Sequence, residues 1–592
     1  MVRRARAFDA AVAVAVGGVV GVGAAVGVGG LGACDAQQAK SLRPDATVAS
    51  DAASSSDAPA FVDVFHPHDP AAVPALDARA LLVRLSLDLR GIRPTPAELA
   101  AVEGPDPDAA LPALIDNFLG DARFGKRVRD LYATVLRTRV EDFPVGAAAL
   151  GLPAEDEPAL FASIGEEPLE VIARVAAEDR PWTDLVTADW TMADETLASV
   201  YPIDRTPGPG WQEARYSDGR PAAGLLAVNG LWWRYLSDGV NYGRGRANAV
   251  ARIFLCSDFL TRSVDFPRDI DLTDEDGIRA AVRENTGCVG CHAGLDPLAS
   301  YLAGFQYTDK SVAAEMTVYH SERERQWRQM TELAPSFYGT PGYSLADLGR
   351  QIAADPRFVT CAVETAWTLL LRRPVDARDP GELDALTRHR EAFLAGGLTL
   401  KALLRSIVMD PRYRMGPAPA GSAEPGMEHL VTPDQWGDML DAWTGFRLSA
   451  QGADLLATDL TGLRTLAGGG DGRAGAQPAT LPTATMSLSW ERTAEAAASY
   501  AVDHPFRPPD ARALFEVDLG HEPDGPAFDD PAMRAQVVSL HRRLFGTKVA
   551  DDGLEVRAAL ELWDAADRID GPAGAWKAVL TALFRDPSLV LY

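Results

Sequence analysis

Two cysteines followed by a histidine are the residues of this chain whose spacing best fits a known chemistry. Cys288, Cys291 and His292 form the pattern C-x-x-C-H, at which c-type haem is attached to proteins. Two thiols three positions apart on a helical turn can each add to a vinyl group of the porphyrin. The adjacent imidazole can then bind the iron from the proximal side. Only about 6 × 10⁻⁴ accidental matches are expected in a chain of this composition. The spacing therefore predicts covalently bound haem c with His292 as the proximal iron ligand.

The motif leaves the sixth ligand of the iron open. A methionine downstream of C-x-x-C-H commonly binds on the distal side and raises the reduction potential. Met316 and Met330 both follow the motif and are candidates, and His320 is a third. If none of them binds, a five-coordinate iron would allow reactions with peroxide or small gas molecules.

Two structural alternatives use the same cysteines without haem. Cys288 and Cys291 can form a local disulfide in an oxidising compartment. Together with Cys256 and His292 they can also form a Cys₃His zinc site. Outside such a site, Cys256 lies in an apolar stretch and is predicted to be a core thiol. Cys361 is predicted to be another small buried hydrophobe.

Helices are predicted on both sides of the motif. A helix begins at 273–276 and runs to Glu284, and Asp296 followed by Pro297 has the composition of an N-cap and first turn. The second helix would carry four apolar residues, Leu298, Tyr301, Leu302 and Phe305. We therefore expect the motif to lie between two apolar helical faces that form a small haem pocket.

The N-terminus has the features of a bacterial lipoprotein signal. Three arginines precede an Ala/Val/Gly-rich run from Ala10 to Gly30, and small residues follow up to Cys34. This arrangement predicts a signal peptide over residues 1–33 and lipid attachment at Cys34, which would anchor an exported protein to a membrane. An uncleaved transmembrane helix is the alternative, because the apolar run is near the ~20 residues that span a bilayer. Residues 34–74 are rich in Ala, Asp, Ser and Pro and are predicted to be a flexible tether.

The rest of the chain is predicted to be mainly α-helical and multi-domain. A unit of helix, turn, helix and helix recurs three times, within 81–124, 367–413 and 541–587, which indicates duplicated units around a cytochrome-c-like haem segment. In the first copy, Gly91 is a predicted C-cap and residues 95–98 form a capping box. Residues 201–262 break the pattern with glycines and tryptophans and are predicted to be loops around a few buried aromatics. The expected domains are a helical one at 75–200, the haem motif domain at 201–343, a helical one at 344–415 and a C-terminal helical one at 416–592.

Several segments resemble the planctomycete-type multi-domain cytochrome c proteins, whose recurring domains mostly have no assigned function. Residues 85–98 are similar to the signature L-x-L-D-L-x-G-x-x-P-T-P-x-E. Residues 288–299 are similar to the core C-x-x-C-H-x-x-x-D-P-L-G, with Ala299 in place of its glycine. The stretch 347–413 and the C-terminal segment also look like modules of this family. The resemblance implies an exported, membrane-attached haem protein with the haem bound at the C-x-x-C-H residues, and it implies no substrate.

Charge and the lack of other motifs narrow the expected function. The net charge of −26 makes nucleic acid and anionic lipid headgroups poor partners, so a redox partner is expected to be basic or neutral. The sequence contains no G-x-S-x-G elbow, no H-E-x-x-H pair, no Walker loop and no dinucleotide fingerprint. It therefore favours an exported electron carrier with covalent haem. The alternative is a surface lipoprotein that acts as a binding or scaffold protein, with structural zinc or a disulfide at the motif.

Overall fold

The computed structural model describes residues 73–237, 243–262, 273–309, 312–419, 426–450, 453–458, 461–473, 477–504 and 514–592. The predicted signal peptide, the lipid attachment site at Cys34 and the predicted tether up to residue 72 lie outside the described residues. The last two residues of the predicted tether pack on the folded body. Val73 is buried, and the carbonyl of Pro74 accepts a hydrogen bond from the Gly416 N–H at 2.9 Å.

The described residues before Tyr235 form eight α-helices and one small sheet. The helices are α1 (Ala78–Arg90), α2 (Pro96–Ala101), α3 (Leu111–Leu119), α4 (Arg123–Leu136), α5 (Glu157–Ala177), α6 (Asp184–Thr187), α7 (Glu195–Val200) and α8 (Asn229–Arg234). The strands are β1 (Thr191–Ala193), β2 (Ile203–Arg205) and β3 (Gln212–Tyr216). They pair antiparallel in the order β1-β3-β2, with Thr191 opposite Ala214 and Ile203 opposite Tyr216.

The middle of the chain is again helical. Its helices are α9 (Arg244–Leu255), α10 (Glu275–Glu284), α11 (Thr286–Ala299), α12 (Ala313–Met316), α13 (Ser321–Thr331), α14 (Leu345–Ala354), α15 (Pro356–Leu371), α16 (Pro380–Ala395) and α17 (Leu400–Val408). A 3₁₀ helix, Ser300–Phe305, follows α11, and a two-stranded ladder pairs β4 (Ser336–Phe337) with β5 (Thr340–Pro341).

The C-terminal part completes a mainly helical protein. Its helices are α18 (Pro433–Thr444), α19 (Leu463–Leu466), α20 (Ala484–Asp503), α21 (Pro531–Leu544) and α22 (Leu554–Phe584), and its short strands are β6 (Ser449–Ala450) and β7 (Ala453–Asp454). Gly571 breaks α22 with φ of 71°. The predicted mainly α class is therefore confirmed. Among the described helices, none combines the length and hydrophobicity that crossing a membrane requires.

The turn after α1 has the caps that the sequence predicts. Gly91 adopts φ of 77° and donates its N–H to the Leu87 carbonyl at 3.1 Å, which ends the helix. The Thr95 side chain accepts from the Glu98 N–H at 3.2 Å, and the Glu98 carboxylate accepts from the Thr95 N–H at 2.6 Å. Glu98 also accepts from Arg90 at 2.9 Å, so the same carboxylate caps α2 and holds the end of α1.

Helix α1 lies between two hydrophobic cores. Leu85 packs into the larger core, whose buried residues come from 73–427. Leu87 packs into a second core, whose other buried residues come from 430–590. Because both faces are covered, every residue of α1 from Arg84 to Arg90 is buried, and the helix joins the two cores.

The charged side chains of α1 are hydrogen-bonded to segments far along the chain. Arg84 donates to three main-chain carbonyls, those of Tyr413, Met415 and Met427, at 2.9, 2.7 and 2.7 Å. Asp88 accepts from the hydroxyl of Tyr413 at 2.8 Å and from that of Tyr592 at 2.7 Å. These buried bonds tie α1 to the residues that follow α17 and to the end of the chain.

The expectation of loops over 201–262 is wrong for part of that stretch. It contains α8 and α9 as well as two of the three strands of the sheet. Trp232 and Trp233 are buried as predicted, but they lie on α8. The apolar pattern that would predict helix α9 is interrupted, because a charged residue of this helix faces the core. Arg246 is fully buried and donates to the carbonyls of Tyr235 and Phe305 at 2.9 and 2.7 Å.

Candidate functional site

The C-x-x-C-H residues lie on helix α11. The side chain of Asn285 caps the helix by accepting from the Gly287 N–H at 3.0 Å. Cys288, Cys291 and His292 then occupy positions i, i+3 and i+4, so they share one helical face. Both cysteines are free thiols and are half-buried. The helix that positions the motif therefore presents two thiols and an imidazole on the same side.

The expectation that Asp296 caps a second helix is wrong. Helix α11 continues through Pro297 to Ala299, and Asp296 lies inside it. Its carboxylate contacts Nδ1 of His292 at 3.1 Å and accepts from Nε and Nη2 of Arg244 at 2.7 and 3.0 Å. These side-chain partners replace the backbone N–H groups that an N-cap would bind. The four apolar residues predicted after it, Leu298, Tyr301, Leu302 and Phe305, are buried as expected.

The contact between Asp296 and His292 determines which ring nitrogen is left for a ligand. Burial alone would raise the pKa of Asp296, but the hydrogen bonds from His292 and Arg244 outweigh burial and hold this pKa below its ordinary value. An ionised carboxylate only accepts hydrogen bonds, so Nδ1 of His292 carries the proton in this contact. In the neutral ring, this tautomer has its lone pair on Nε2. Histidine ligands of metals are commonly oriented by a carboxylate in this way.

A cleft of about 730 Å³ opens beside His292. It lies between α9, α11, the end of α4 and the turn at 258–260. Its other described lining residues are polar (Arg137, Tyr235, Arg244, Asn248, Arg252 and Asp258), apolar (Ala249, Phe259, Leu260 and Leu295) or glycine (Gly245). The turn is fixed to α9 because Asn248 donates to Asp258 at 2.9 Å and accepts from the Phe259 N–H at 2.8 Å. Leu260 is 85% exposed, which leaves a large apolar side chain uncovered at the cleft.

These groups fit a covalently attached haem. The free thiols of Cys288 and Cys291 are not among the described residues that line the cleft, but they share the helical face of His292 and can form the two thioether bonds from there. Nε2 of His292, which does line the cleft, is left for the iron. Leu260 and Leu295 offer apolar contact to a porphyrin. The volume of the cleft lies within the roughly 300–1,000 Å³ that is typical of small-molecule sites. Within the described residues, no three His, Cys, Asp or Glu side chains converge into a metal-binding group. Haem attachment requires one iron ligand from the motif, whereas a structural zinc site requires several protein side chains that converge on the ion.

The distal candidates lie away from this cleft. Met316 is fully buried, whereas Met330 on α13 is 70% exposed. Both nitrogens of His320 are engaged, Nε2 with the Glu315 carbonyl at 2.8 Å and Nδ1 with Glu322 at 3.2 Å. None of these three candidates is among the described residues that line the cleft. The distal ligand therefore stays a prediction.

Of the predictions for the other two described cysteines, that for Cys256 is wrong and that for Cys361 is confirmed only in its burial. Cys256 and Cys361 form a disulfide that joins the end of α9 to α15. Cys256 is therefore neither a core thiol nor a zinc ligand, which removes the Cys₃His site from consideration. Cys361 is buried as expected, but it is covalently bonded rather than a free hydrophobe. The two cysteines are 105 positions apart in the sequence, so no local sequence pattern predicts that they form a disulfide.

Sequence reasoning missed the arginines of the site. Arg137 is the C-cap of α4, and Arg244 and Arg252 lie on α9, yet all three line the cleft. The run of alternating arginines at the start of α9 is the one local signal that could have drawn attention to Arg244.

Comparison with known proteins finds no matching family model, no matching curated protein and no matching solved structure. The resemblance to planctomycete-type cytochrome c proteins is thus carried by the sequence motifs alone and stays a prediction.

Proposed function

We propose that this protein is an exported, membrane-anchored, c-type cytochrome-like protein that binds haem covalently and transfers electrons. The observation that carries the proposal is the setting of His292. Its imidazole shares a helical face with two free thiols, is held at Nδ1 by Asp296 and lines a cleft of about 730 Å³. A histidine with only a structural role would not require two free thiols on the same helical face or a cleft beside its ring.

Each residue of the site has a separate role in this proposal. When bound, haem supplies a one-electron couple at its iron. Cys288 and Cys291 would hold the group through thioether bonds, and His292 would supply a nitrogen ligand to the iron. Asp296 and Arg244 orient the imidazole and keep the proton on Nδ1. The open cleft and the exposed Leu260 leave room for outer-sphere electron transfer to a partner, and the acidic composition favours one that is basic or neutral.

The disulfide supports the exported location. Disulfides persist in oxidising compartments and are rare in the cytosol, and the bond between Cys256 and Cys361 lies next to the cleft, at the end of α9. Covalent haem attachment takes place outside the bacterial cytoplasm as well. The predicted signal peptide would deliver the chain there, and lipid at Cys34 would attach it to a membrane.

We also propose that the helical units around the haem segment arose by duplication. In each unit a residue with positive φ lies at or one position after the C-cap of a helix, and helical residues follow it. These residues are Gly91 after α1, Arg372 after α15 and Gly546 after α21, with φ of 77°, 53° and 68°. The recurring order of a helix, a left-handed turn and further helical residues supports the proposal.

Haem content tests the proposed function directly. The full chain is produced with its signal in a bacterial host that has intact cytochrome c maturation, and the purified protein is examined by haem stain on a denaturing gel and by reduced-minus-oxidised spectra. We expect a stained band and Soret and alpha bands that shift on reduction. The variant Cys288→Ala/Cys291→Ala should lose both signals.

The matched control also replaces two cysteines, as Cys256→Ala/Cys361→Ala, and should keep the haem signals. A colourless wild-type protein at its apo mass would refute the proposal. If that protein contained stoichiometric zinc, or a disulfide between Cys288 and Cys291, the scaffold alternative would be supported instead.

A further inference from the structure

Two arginines that line the cleft beside His292 have no acidic hydrogen-bond partner among the described residues. Arg137, which caps α4, and Arg252 of α9 both line it. Arg252 donates to neutral groups, the Val135 carbonyl at 3.0 Å and the Tyr235 hydroxyl. Nε of Arg137 is buried without a hydrogen-bond partner. Within the described residues, neither arginine forms an ion pair with a carboxylate.

A third arginine adds to the positive charge of Arg137 and Arg252, and the repulsion between the three guanidinium groups is unfavourable. Arg234 lies close by, because its Nε donates to the Arg137 carbonyl at 2.7 Å. Burial first, and then the charges of Arg137 and Arg234, lower the pKa of Arg252 against the opposing effects of Tyr235 and Asp258. The Asp258 carboxylate already accepts from Asn248 and from the Leu260 N–H, each at 2.9 Å. In a protein of net charge −26, grouped arginines facing a cleft indicate an anionic ligand.

We propose that Arg137 and Arg252 bind the two propionate carboxylates of the haem. The proposal rests on the proposed function, since it assigns residues to one part of the same ligand. Haem carries two carboxylates, and guanidinium groups bind carboxylates through paired, charge-assisted hydrogen bonds. Arg244 is not assigned this role because Asp296 occupies it. The motif residues would thus bind the iron and the vinyl groups, and Arg137 and Arg252 would bind the edge of the porphyrin that carries the propionates.

This arrangement has a measurable electrostatic consequence. Positive charge near the haem stabilises the ferrous state, which carries one unit of positive charge less than the ferric state, and so raises the midpoint potential. It also favours ionised propionates, so that the pH dependence of the potential moves to lower pH. Removing either arginine should reverse both effects while the thioether bonds keep the haem in place.

The test uses the full haem-loaded chain with the variants Arg137→Gln and Arg252→Gln. Arg350→Gln is the matched control, because it removes the same charge from a side chain that is 65% exposed on α14 and does not line the cleft. Arg252→Lys keeps the charge, and circular dichroism checks that each variant is folded. Haem content is measured by the pyridine haemochrome assay, and the midpoint potential is titrated from pH 5 to 9.

We expect Arg137→Gln and Arg252→Gln to retain covalent haem, to have a lower midpoint potential than the wild type, and to show the pH-dependent step at higher pH. Arg252→Lys should restore most of the shift, and Arg350→Gln should behave as the wild type. Folded glutamine variants with the potential and pH profile of the control would overturn the inference while leaving the proposed function intact. Absence of haem from the wild type would overturn both.

Discussion

Removal of the disulfide should lower the stability of the folded body by a predictable amount. The bond between Cys256 and Cys361 closes a loop of 105 residues. In the chain-entropy treatment, opening a loop of this length stabilises the unfolded state by about 4.8 kcal/mol at 25 °C. Alanine is the preferred replacement, because Cys361 is 2% exposed and a serine hydroxyl there would need a buried partner. We therefore expect Cys256→Ala/Cys361→Ala to lose about 4 to 5 kcal/mol of unfolding free energy.

The assay is urea denaturation of the haem-free chain followed by tryptophan fluorescence, with the oxidised wild type, the reduced wild type and the variant in parallel. The reduced wild type should unfold at the same urea concentration as the variant, and both should unfold well before the oxidised protein. Cys288→Ala/Cys291→Ala serves as the control and should match the wild type, because those thiols are free. Equal midpoints for oxidised wild type and disulfide variant, or alkylation of Cys256 in the oxidised protein, would refute the reasoning.

Two further predictions concern buried carboxylates. Asp296→Asn removes the charge that Arg244 and His292 share and should cost about 2 kcal/mol in urea denaturation, as hydrogen bonds to charged groups contribute roughly 1.5–3 kcal/mol; an unchanged midpoint would contradict this role. Burial raises the pKa of Glu167 from 4.5 to about 7, despite hydrogen bonds from Tyr216 and Thr191. The folded chain therefore keeps a proton that the unfolded chain releases near pH 4.5, so stability should fall by about 3 kcal/mol as pH rises from 4.5 to 7. Glu167→Gln should flatten this decline between pH 4.5 and 7, and the same slope in both proteins would rule the explanation out.

Local features were predictable because their causes are local. The C-cap at Gly91 and the capping box at 95–98 depend on residues a few positions apart, and both are present. The same holds for the helix that ends at Glu284. The prediction for Asp296 was wrong because a carboxylate followed by proline is typical of a helix start, and the competing partner, Arg244, lies 52 positions earlier.

The sequence by itself determined the mainly helical class, the caps and the spacing that places Cys288, Cys291 and His292 on one helical face. These follow from hydrogen bonding and side-chain direction within one or two helical turns. Only the tertiary structure decided that α1 is buried between two cores, that Cys256 bonds to Cys361, and that the C-cap of α4 and two arginines of α9 line one cleft with His292. Such contacts join residues that are distant in sequence. They form because the burial of apolar surface brings distant segments together, and no local sequence pattern indicates which segments will meet.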